Sequence, residues 1–430
     1  MLWRWPTTPI GEGNTGVQSS PRFFCGIDWA DQLNDVAVVD RRGEVLARAR
    51  ISATPDGVRQ LFRVLDGLRA SHTHGRRQVP VAIETNQGLL VHALRARGQP
   101  VFQIPPSEVA GQRRRTSRAA KKSDSSDAEL LAVMLRDRWG LLRELPAVSP
   151  DAAALTVLAL AQYRAQRLRE QLQARLRALL VQVHPVAARA WDGRDHGLRR
   201  AEARAVLAAG PTAAAAQRIS VYRWEKILTG ARLRLLEHEA YRLHELFAAP
   251  VLQLPAAIEA ATAVEVRTLL AAFDDACRRA DELTATLTGA FEAHPHAVTY
   301  LSFPGCGLLT GARLLAELGD DAHRFATAKG LRAYAGLAPL TWASGTVRQV
   351  THRRICNRRL KMACHRWAFS ALTHSLGARA FYDRRRAAGD SYAGALRRLA
   401  GRLLSGLHHC LAAGTVYDER IMFAPGRAAS

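Results

Sequence analysis

The chain has 430 residues, room for two or three domains and a substantial buried core. Lysine and arginine number 61 against 38 acids, a formal net charge of +23; this argues for a polyanionic partner, and no feature suggests membrane attachment. No apolar run reaches the ~18 residues that a membrane span requires, and six scattered cysteines with no Cys-x-x-Cys pair speak for a reducing cytoplasm and against a zinc site or disulfide framework.

Residues 1–21 are rich in Gly, Thr, Ser and Pro, lack the apolar stretch of a signal peptide and read as a disordered leader. Phe23 to Asp28 reads as a short buried strand ending in an acid. Asp35–Val39 and Val45–Ile51 are β-rich runs joined by a hairpin turn at Asp40-Arg41-Arg42-Gly43. A helix is expected over Pro55–Ala70, then a second buried strand ending in an acid, Val79–Glu84, a helix at Leu89–Arg97 and a strand at Val101–Ile104. The order βββαβαβ, with acids on the first and fourth strands, is that of ribonuclease-H-like α/β folds.

Next, Asp124 and Asp127 open a helix-forming run through Leu130, Leu131, Val133, Met134 and Leu135. Residues three apart share one side of a helix, and carboxylates are favoured at its N-terminus by the dipole there. Helix-start acids are therefore one reading of the pair. The other is half of a divalent-cation site completed by Asp28 and Glu84, since Mg²⁺ or Mn²⁺ takes hard oxygen ligands and assists phosphoryl transfer. Asp31 and Glu129 lie nearby and read as solvated. Arg113, Arg114, Arg115, Arg118, Lys121 and Lys122 precede the pair. On its own such a run is a solvated face; beside acids that await a phosphate it reads as a grip on nucleic-acid backbone.

Residues 149–296 read as a long helical spacer. Ser149-Pro150-Asp151 is a helix start, followed by Leu168, Leu172, Leu176, Leu179 and Val183 at helical spacing. A second pattern runs from about Ala256 to Ala293 through Ile258, Leu269, Phe273, Cys277, Leu283 and Leu287. At ~1.5 Å per residue each helix reaches roughly 50 Å, and an antiparallel coiled-coil arm is expected. The region between, broken at Gly210-Pro211 and Gly230, carries no recognisable chemistry.

The mainly α segment 297–415 holds the remaining signals. Phe303-Pro304-Gly305-Cys306-Gly307-Leu308 before an apolar helix resembles a helix-hairpin-helix turn, in which Gly305 and Gly307 offer backbone N–H groups to a phosphate. From Trp342 to Arg366 there is no acid, while Arg348, Arg353, Arg354, Arg358, Arg359, Lys361 and Arg366 supply seven positive charges. In that company Ser344, beside Gly345 in an expected mobile loop, is a candidate nucleophile for a phosphodiester. Spacing suggests no Ser-His-Asp triad, and His352 is open between phosphate donor, base and solvated residue. Residues 416–430 read as a loose tail.

Taken together, Gly26-Ile27-Asp28, Ile83-Glu84-Thr85, Lys122-Ser123-Asp124-Ser125-Ser126-Asp127-Ala128, Pro304-Gly305-Cys306-Gly307, Tyr334-Ala335-Gly336-Leu337-Ala338-Pro339, Ser344-Gly345 and Asn357-Arg358-Arg359-Leu360 follow one another in the chain. This succession resembles the insertion-sequence-110 family of DEDD transposases. The resemblance covers about residues 23–145 and 298–375. It implies a RuvC-like domain over 22–148 with a metal-binding tetrad of Asp28, Glu84, Asp124 and Asp127, and a C-terminal domain with Ser344 as nucleophile. It also implies donor and target DNA as substrates and a structured non-coding RNA that bridges them. Strand exchange needs several DNA ends at once, so a homodimer assembling to a tetramer is expected. Cys356 and Cys306 depart from the family pattern, where Gly and Ile or Val are usual. Two other readings stay open: a RuvC-like nuclease or resolvase that activates water, and a catalytically dead nucleic-acid-binding protein. An actin-like ATPase, which a Gly-Ile-Asp strand also opens, lacks its Gly-rich phosphate loops here.

Overall fold

The computed structural model describes residues 21–70, 79–116, 124–192, 197–231, 236–344, 347–353 and 355–423, with the side chains of 69–70, 116, 124–126, 236–237 and 340–352 outside the description. The chain divides into two compact units after Ala147. Among the described residues no helix is long and apolar enough to cross a membrane.

The first unit is a mixed five-stranded sheet with helices on both faces, compatible with an RNase-H-like α/β domain. Its elements are β1 (Phe23–Asp28), β2 (Leu33–Asp40), β3 (Val45–Ser52), α1 (Pro55–Ala70), β4 (Val81–Ile83), α2 (Leu89–Ala96), β5 (Val101–Gln103), α3 (Pro106–Thr116) and α4 (Asp124–Asp137). The spatial order is β3-β2-β1-β4-β5. β1 pairs antiparallel with β2 and parallel with β4, and β4 pairs parallel with β5. Successive strand residues point to opposite faces. Cys25 and Ile27 therefore join the core that includes Leu61 of α1 and Leu94 of α2, while Phe24, Ala82 and Phe102 pack with Leu131 and Leu135 of α4. The turn at Asp40 is closed by its carboxylate, which accepts from the amides of Arg42 (2.8 Å) and Glu44 (2.9 Å); these bonds hold the Asp40 carboxyl below the usual range.

Helix α3 is absent from the sequence expectation. Its segment, Pro-Ser-Glu-Val-Ala-Gly-Gln-Arg-Arg-Arg-Thr, has a single large apolar residue, Val109, to mark a buried face.

Among its described residues the second unit is helical except for one hairpin. It comprises α5 (Pro150–Val183), α6 (Pro185–Arg189), α7 (Ala201–Ala209), α8 (Ala213–Gln217), α9 (Val221–Gly230), α10 (Leu236–Ala248), α11 (Ala256–Glu292), α12 (Ala297–Leu301), α13 (Leu308–Leu318), α14 (Ala328–Tyr334), β6 (Pro339–Ser344), β7 (Val347–His352), α15 (Arg358–His374), α16 (Leu376–Ala387), α17 (Tyr392–Ala413) and α18 (Glu419–Met422). Ser149 caps α5 by accepting from the Ala152 amide (3.1 Å), with Pro150 in the first turn. α5 and α11 run antiparallel: Gln162 donates to Thr284 (3.0 Å), and seven residues on Arg169 pairs with Asp281 (3.1 Å).

One end of that pair is wrapped by α6 to α10, where Leu176, Leu180, Phe273 and Trp224 share a core. At the other end Leu155, Leu287 and Phe291 belong to the same core as Trp367, Leu399 and Leu403, so the core continues across the expected 296/297 boundary. Leu168 and Ile258, read from spacing as apolar positions of the two helices, are exposed. The tail also differs from expectation up to Phe423. Tyr417 packs tilted against Phe303 with ring centroids 4.7 Å apart, Glu419 accepts from Gly377 N (2.7 Å) and Ser375 Oγ (2.9 Å), and Phe423 packs beside Phe381. Three aromatic or charged anchors in a short segment outweigh its weak helical pattern.

Candidate active site

Strand parity explains how three of the expected acids meet. Asp28 lies two residues beyond Gly26, and Glu84 two beyond Ala82, so both continue the sheet face that packs on α4. Gly26 is the point of closest approach. A Cβ there would overlap the carbonyl oxygen of Ala128 and come within 2.5 Å of the Ala132 nitrogen. With Ala128 and Ala132 fully buried against it, α4 lies directly on β1 and brings Asp127 beside the strand end. Asp28, Glu84 and Asp127 line one cavity of about 470 Å³, together with Asp35, Trp29 and Arg113.

Asp127 is 5% exposed. One of its oxygens meets the Arg113 guanidinium in an ion pair, and the other, Oδ1, is buried without a hydrogen-bond partner. Asp124 begins α4 one turn earlier, with its side chain outside the description. Asp35, opposite Asp28 in the β1–β2 register, is held by Arg50 through two bonds of 3.0 and 2.9 Å. Of the two acids read as solvated, Asp31 is exposed and Glu129 pairs with Arg48 at 2.6 Å.

Among the described residues no three His, Cys, Asp or Glu side chains gather closely enough to hold a metal ion by themselves. The donor chemistry nevertheless fits one: besides Asp35, which Arg50 holds, the carboxylates of Asp28, Glu84 and Asp127 line a single cavity, and Asp127 carries an orphaned buried oxygen of the hard type that Mg²⁺ or Mn²⁺ takes. Arg113 now supplies the positive charge on the Asp127 side of that cavity. Sequence reading placed Arg113 with the backbone-gripping cations; the structure gives it to Asp127. Arg114 and Arg115 are exposed at the end of α3, while Arg118, Lys121 and Lys122 lie outside the described residues.

In the second unit Ser344 is the last residue of β6, paired with Val347 across the residues 345–346. The expected loop is thus a two-stranded hairpin, and Ser344 stands at its tip on a strand end, with its side chain outside the description. The β-rich runs Leu340-Thr341-Trp342 and Val347 to Thr351, separated by Ala-Ser-Gly-Thr, are the signal that would have found it. The backbone of Arg348 belongs to β7, and Arg354 lies outside the described residues.

The Asn357-Arg358-Arg359-Leu360 segment is a clamp. The Asn357 side chain caps α15 by accepting from Leu360 N (3.0 Å), and it donates to Glu317 (2.7 Å) and the Tyr334 hydroxyl (3.0 Å). Arg359 pairs with the same Glu317, so its charge is committed, while Leu360 is fully buried and Arg358 is exposed. The Nε of half-buried Arg353 has no hydrogen-bond partner. Cys356 lies against Gly336, whose φ is +68° and where a Cβ would come within 2.6 Å of the Cys356 sulfur. In the Pro304–Gly307 turn Gly305 (φ +70°) packs on α15, with space for a Cβ closed by the Ala371 nitrogen at 2.6 Å. Of the turn's two glycines only Gly307 is exposed. Tyr334 opens one of the motifs that carry the family resemblance, whereas nothing local in the sequence marks Glu317, which ties the clamp together.

Comparison with known proteins agrees with the order of these segments. Residues 25–185 match a transposase family model, the DEDD type of IS110, and residues 299–383 match the transposase IS116/IS110/IS902 family. A protein of Streptomyces coelicolor assigned as the mini-circle transposase for IS117 is 42% identical over 409 residues, 95% of this chain and 98% of the relative. The 42 kDa protein of insertion element IS900 from Mycobacterium paratuberculosis is 30% identical over 79% of this chain and 84% of its own length. The 44.8 kDa protein of insertion element IS116 from Streptomyces clavuligerus is 27% identical over 89% and 92%. With both family models matched in order and a relative similar along almost its whole length, the chain belongs to the IS110 family of DEDD transposases.

Proposed function

We propose that this transposase cuts and rejoins DNA strands through a serine ester, with the acid cavity assisting. The observation that carries the reading is the shared cavity of Asp28, Glu84 and Asp127, with Asp124 one turn before Asp127 on the same helix. The Ser344 hydroxyl attacks a DNA phosphate: a bond forms from its oxygen to phosphorus, the bond from phosphorus to a sugar oxygen breaks, and that oxygen takes up a proton. The ester keeps the bond energy, so a new strand's hydroxyl reverses the step without ATP. Arg348, Arg353 and Arg354 bear charge that develops on the phosphate. A divalent cation held by Asp28, Glu84, Asp124 and Asp127 supplies charge neutralisation at the phosphate when bound. Arg114, Arg115, Arg118, Lys121, Lys122, Arg358 and the exposed turn at Gly307 grip backbone. A structured non-coding RNA pairs with donor and target DNA and delegates sequence choice to base pairing. Several copies of the chain assemble to hold the DNA ends.

The test is strand joining with guide RNA and both DNAs, followed on denaturing gels. Ser344→Ala is expected to abolish both joined product and covalent protein–DNA adduct, and Asp127→Asn to lower both at least about 100-fold. Joining by the Ser344→Ala protein would remove the serine from the mechanism. The shared cavity of Asp28, Glu84 and Asp127 also suits a second reading as a water-activating nuclease. That reading expects cleaved ends, no adduct and indifference to Ser344→Ala.

A further inference from the structure

A second cavity lies within the C-terminal unit, between α5, α13 and α15, at about 180 Å³. Four arginines (Arg167, Arg313, Arg359 and Arg366) and two acids (Glu170 and Glu317) line it. Both acids are already engaged. Glu317 takes Arg359 and the Asn357 amide, and Glu170 accepts from Gln166 (3.1 Å) and pairs with Arg167 at 3.7 Å. Glu170 acts on Arg313 only at a distance, and neither Arg313 nor Arg366 forms a close ion pair with a carboxylate of this lining.

Arg313 is the unusual member. Its Nη2 donates to two neutral amides, Gln162 Oε1 (2.7 Å) and Gln166 Oε1 (2.5 Å), and its Nε is buried without a hydrogen-bond partner. Burial first, and the nearby Arg366 second, push the Arg313 guanidinium down to about 10. A half-buried cation beside a like charge, with its Nε shut away from water, is disfavoured unless an anion completes the site. The other wall is apolar and aromatic: Ala159, Ala363, Met362 and Tyr163, with Tyr163 and Met362 both exposed. Cations on one side and an aromatic face on the other are what a nucleotide in an unpaired strand needs. A cavity this small excludes a double helix.

We propose that this cavity is a subsite for a single phosphodiester-linked nucleotide, its phosphate held by Arg313 and Arg366 and its base lying against Tyr163 and Met362. DNA and RNA share that chemistry. The proposal rests on the reading above only in taking nucleic acid as the partner, and it is independent of Ser344 and the acids.

The test uses the full chain with 30-nucleotide single strands, one DNA and one RNA, each carrying 5-iodouracil. Irradiation is expected to cross-link the strand to Tyr163, mapped by peptide mass spectrometry. Tyr163→Ala is expected to weaken binding about fivefold or more. Arg366→Gln is expected to reduce the salt-dependence slope of binding by about 0.7, the contribution of one phosphate. Arg278→Gln, on α11 and already paired with Asp275 and Glu282, is expected to leave all three measurements unchanged. Both substituted cavity residues are solvent-accessible, and unchanged melting shows that the fold survives. A loss confined to one strand type assigns the subsite to DNA or to RNA; a loss with both assigns it to either. Cross-links that map elsewhere, or full affinity in Tyr163→Ala with both strands, overturn the subsite while strand joining still stands. Wild-type protein that binds neither strand overturns the subsite and the transposition reading together.

Discussion

Replacing Arg113 by Gln isolates the ion pair at the heart of the acid cavity. The Asp127 side chain is 7% exposed and that of Arg113 28%. Removing one partner of a buried pair costs about 3–5 kcal/mol, because the remaining charge is stranded; partial exposure of Arg113 lets water screen the loss, leaving about 2–3 kcal/mol. For a unit of this size that corresponds to a fall in melting temperature of roughly 8–12 °C. Trp139, packed on Phe24 (5.8 Å) and Phe102 (5.3 Å) in the same unit, provides a fluorescence report of the melt. Adding Mg²⁺ supplies another cation. At 100-fold its dissociation constant a ligand stabilises the folded state by about 2.7 kcal/mol, enough to restore most of what Arg113→Gln loses. Wild-type protein gains less, since the cation must first displace Arg113 from Asp127. Equal melting of the two proteins without metal, or an equal shift on adding Mg²⁺, would refute the idea that Arg113 holds the cation's place.

Gly26→Ala is expected to push α4 off β1, costing about 1–3 kcal/mol by overpacking and, through displaced Asp127, lowering strand joining at least about tenfold; thermal melting and joining assays check both. Asn357→Ala removes the α15 cap and two further hydrogen bonds, so a loss of about 2 kcal/mol is expected in urea unfolding. His184, fully buried beside Phe247 at 5.5 Å, is pushed down to about 4, mainly by burial. Its unfolded form gains a proton below about 6.5 while the folded form does not until about 4. Its contribution to stability is therefore complete above that range and falls as pH drops through it, by up to roughly 3 kcal/mol. His184→Leu is expected to flatten the dependence of urea midpoints on pH between 6.5 and 4, and an unchanged slope would assign the dependence elsewhere.

The sheet was legible because its strands end in acids and are separated by turn chemistry that works locally, as at Asp40. Ser149-Pro150 marked the start of α5 for the same reason. Parity along β1 and β4 then carried Asp28 and Glu84 to the α4 face. Legibility failed where structure depends on distant partners. Nothing in the α3 segment besides Val109 signals a buried face, yet that helix delivers Arg113 to the cavity. The β6–β7 hairpin lies in a segment whose dense positive charge masks its β pattern, and Tyr417 and Phe423 anchor the tail through residues far away in the chain. The Arg313 cavity draws its walls from helices about 150 residues apart, so no local spacing foreshadows it.

The bare contact between Gly26 and α4 has a consequence for how such a protein changes over time. Because main-chain atoms meet there with no side chain interposed, the separation of helix and strand is insulated from turnover among the larger hydrophobic residues around them. Phe24, Leu131 and Leu135 are free to trade volume with one another while the carboxylates keep their spacing. Substitutions that reshape this interior are therefore expected to leave the reaction geometry of the acids in place, provided residue 26 stays without a side chain.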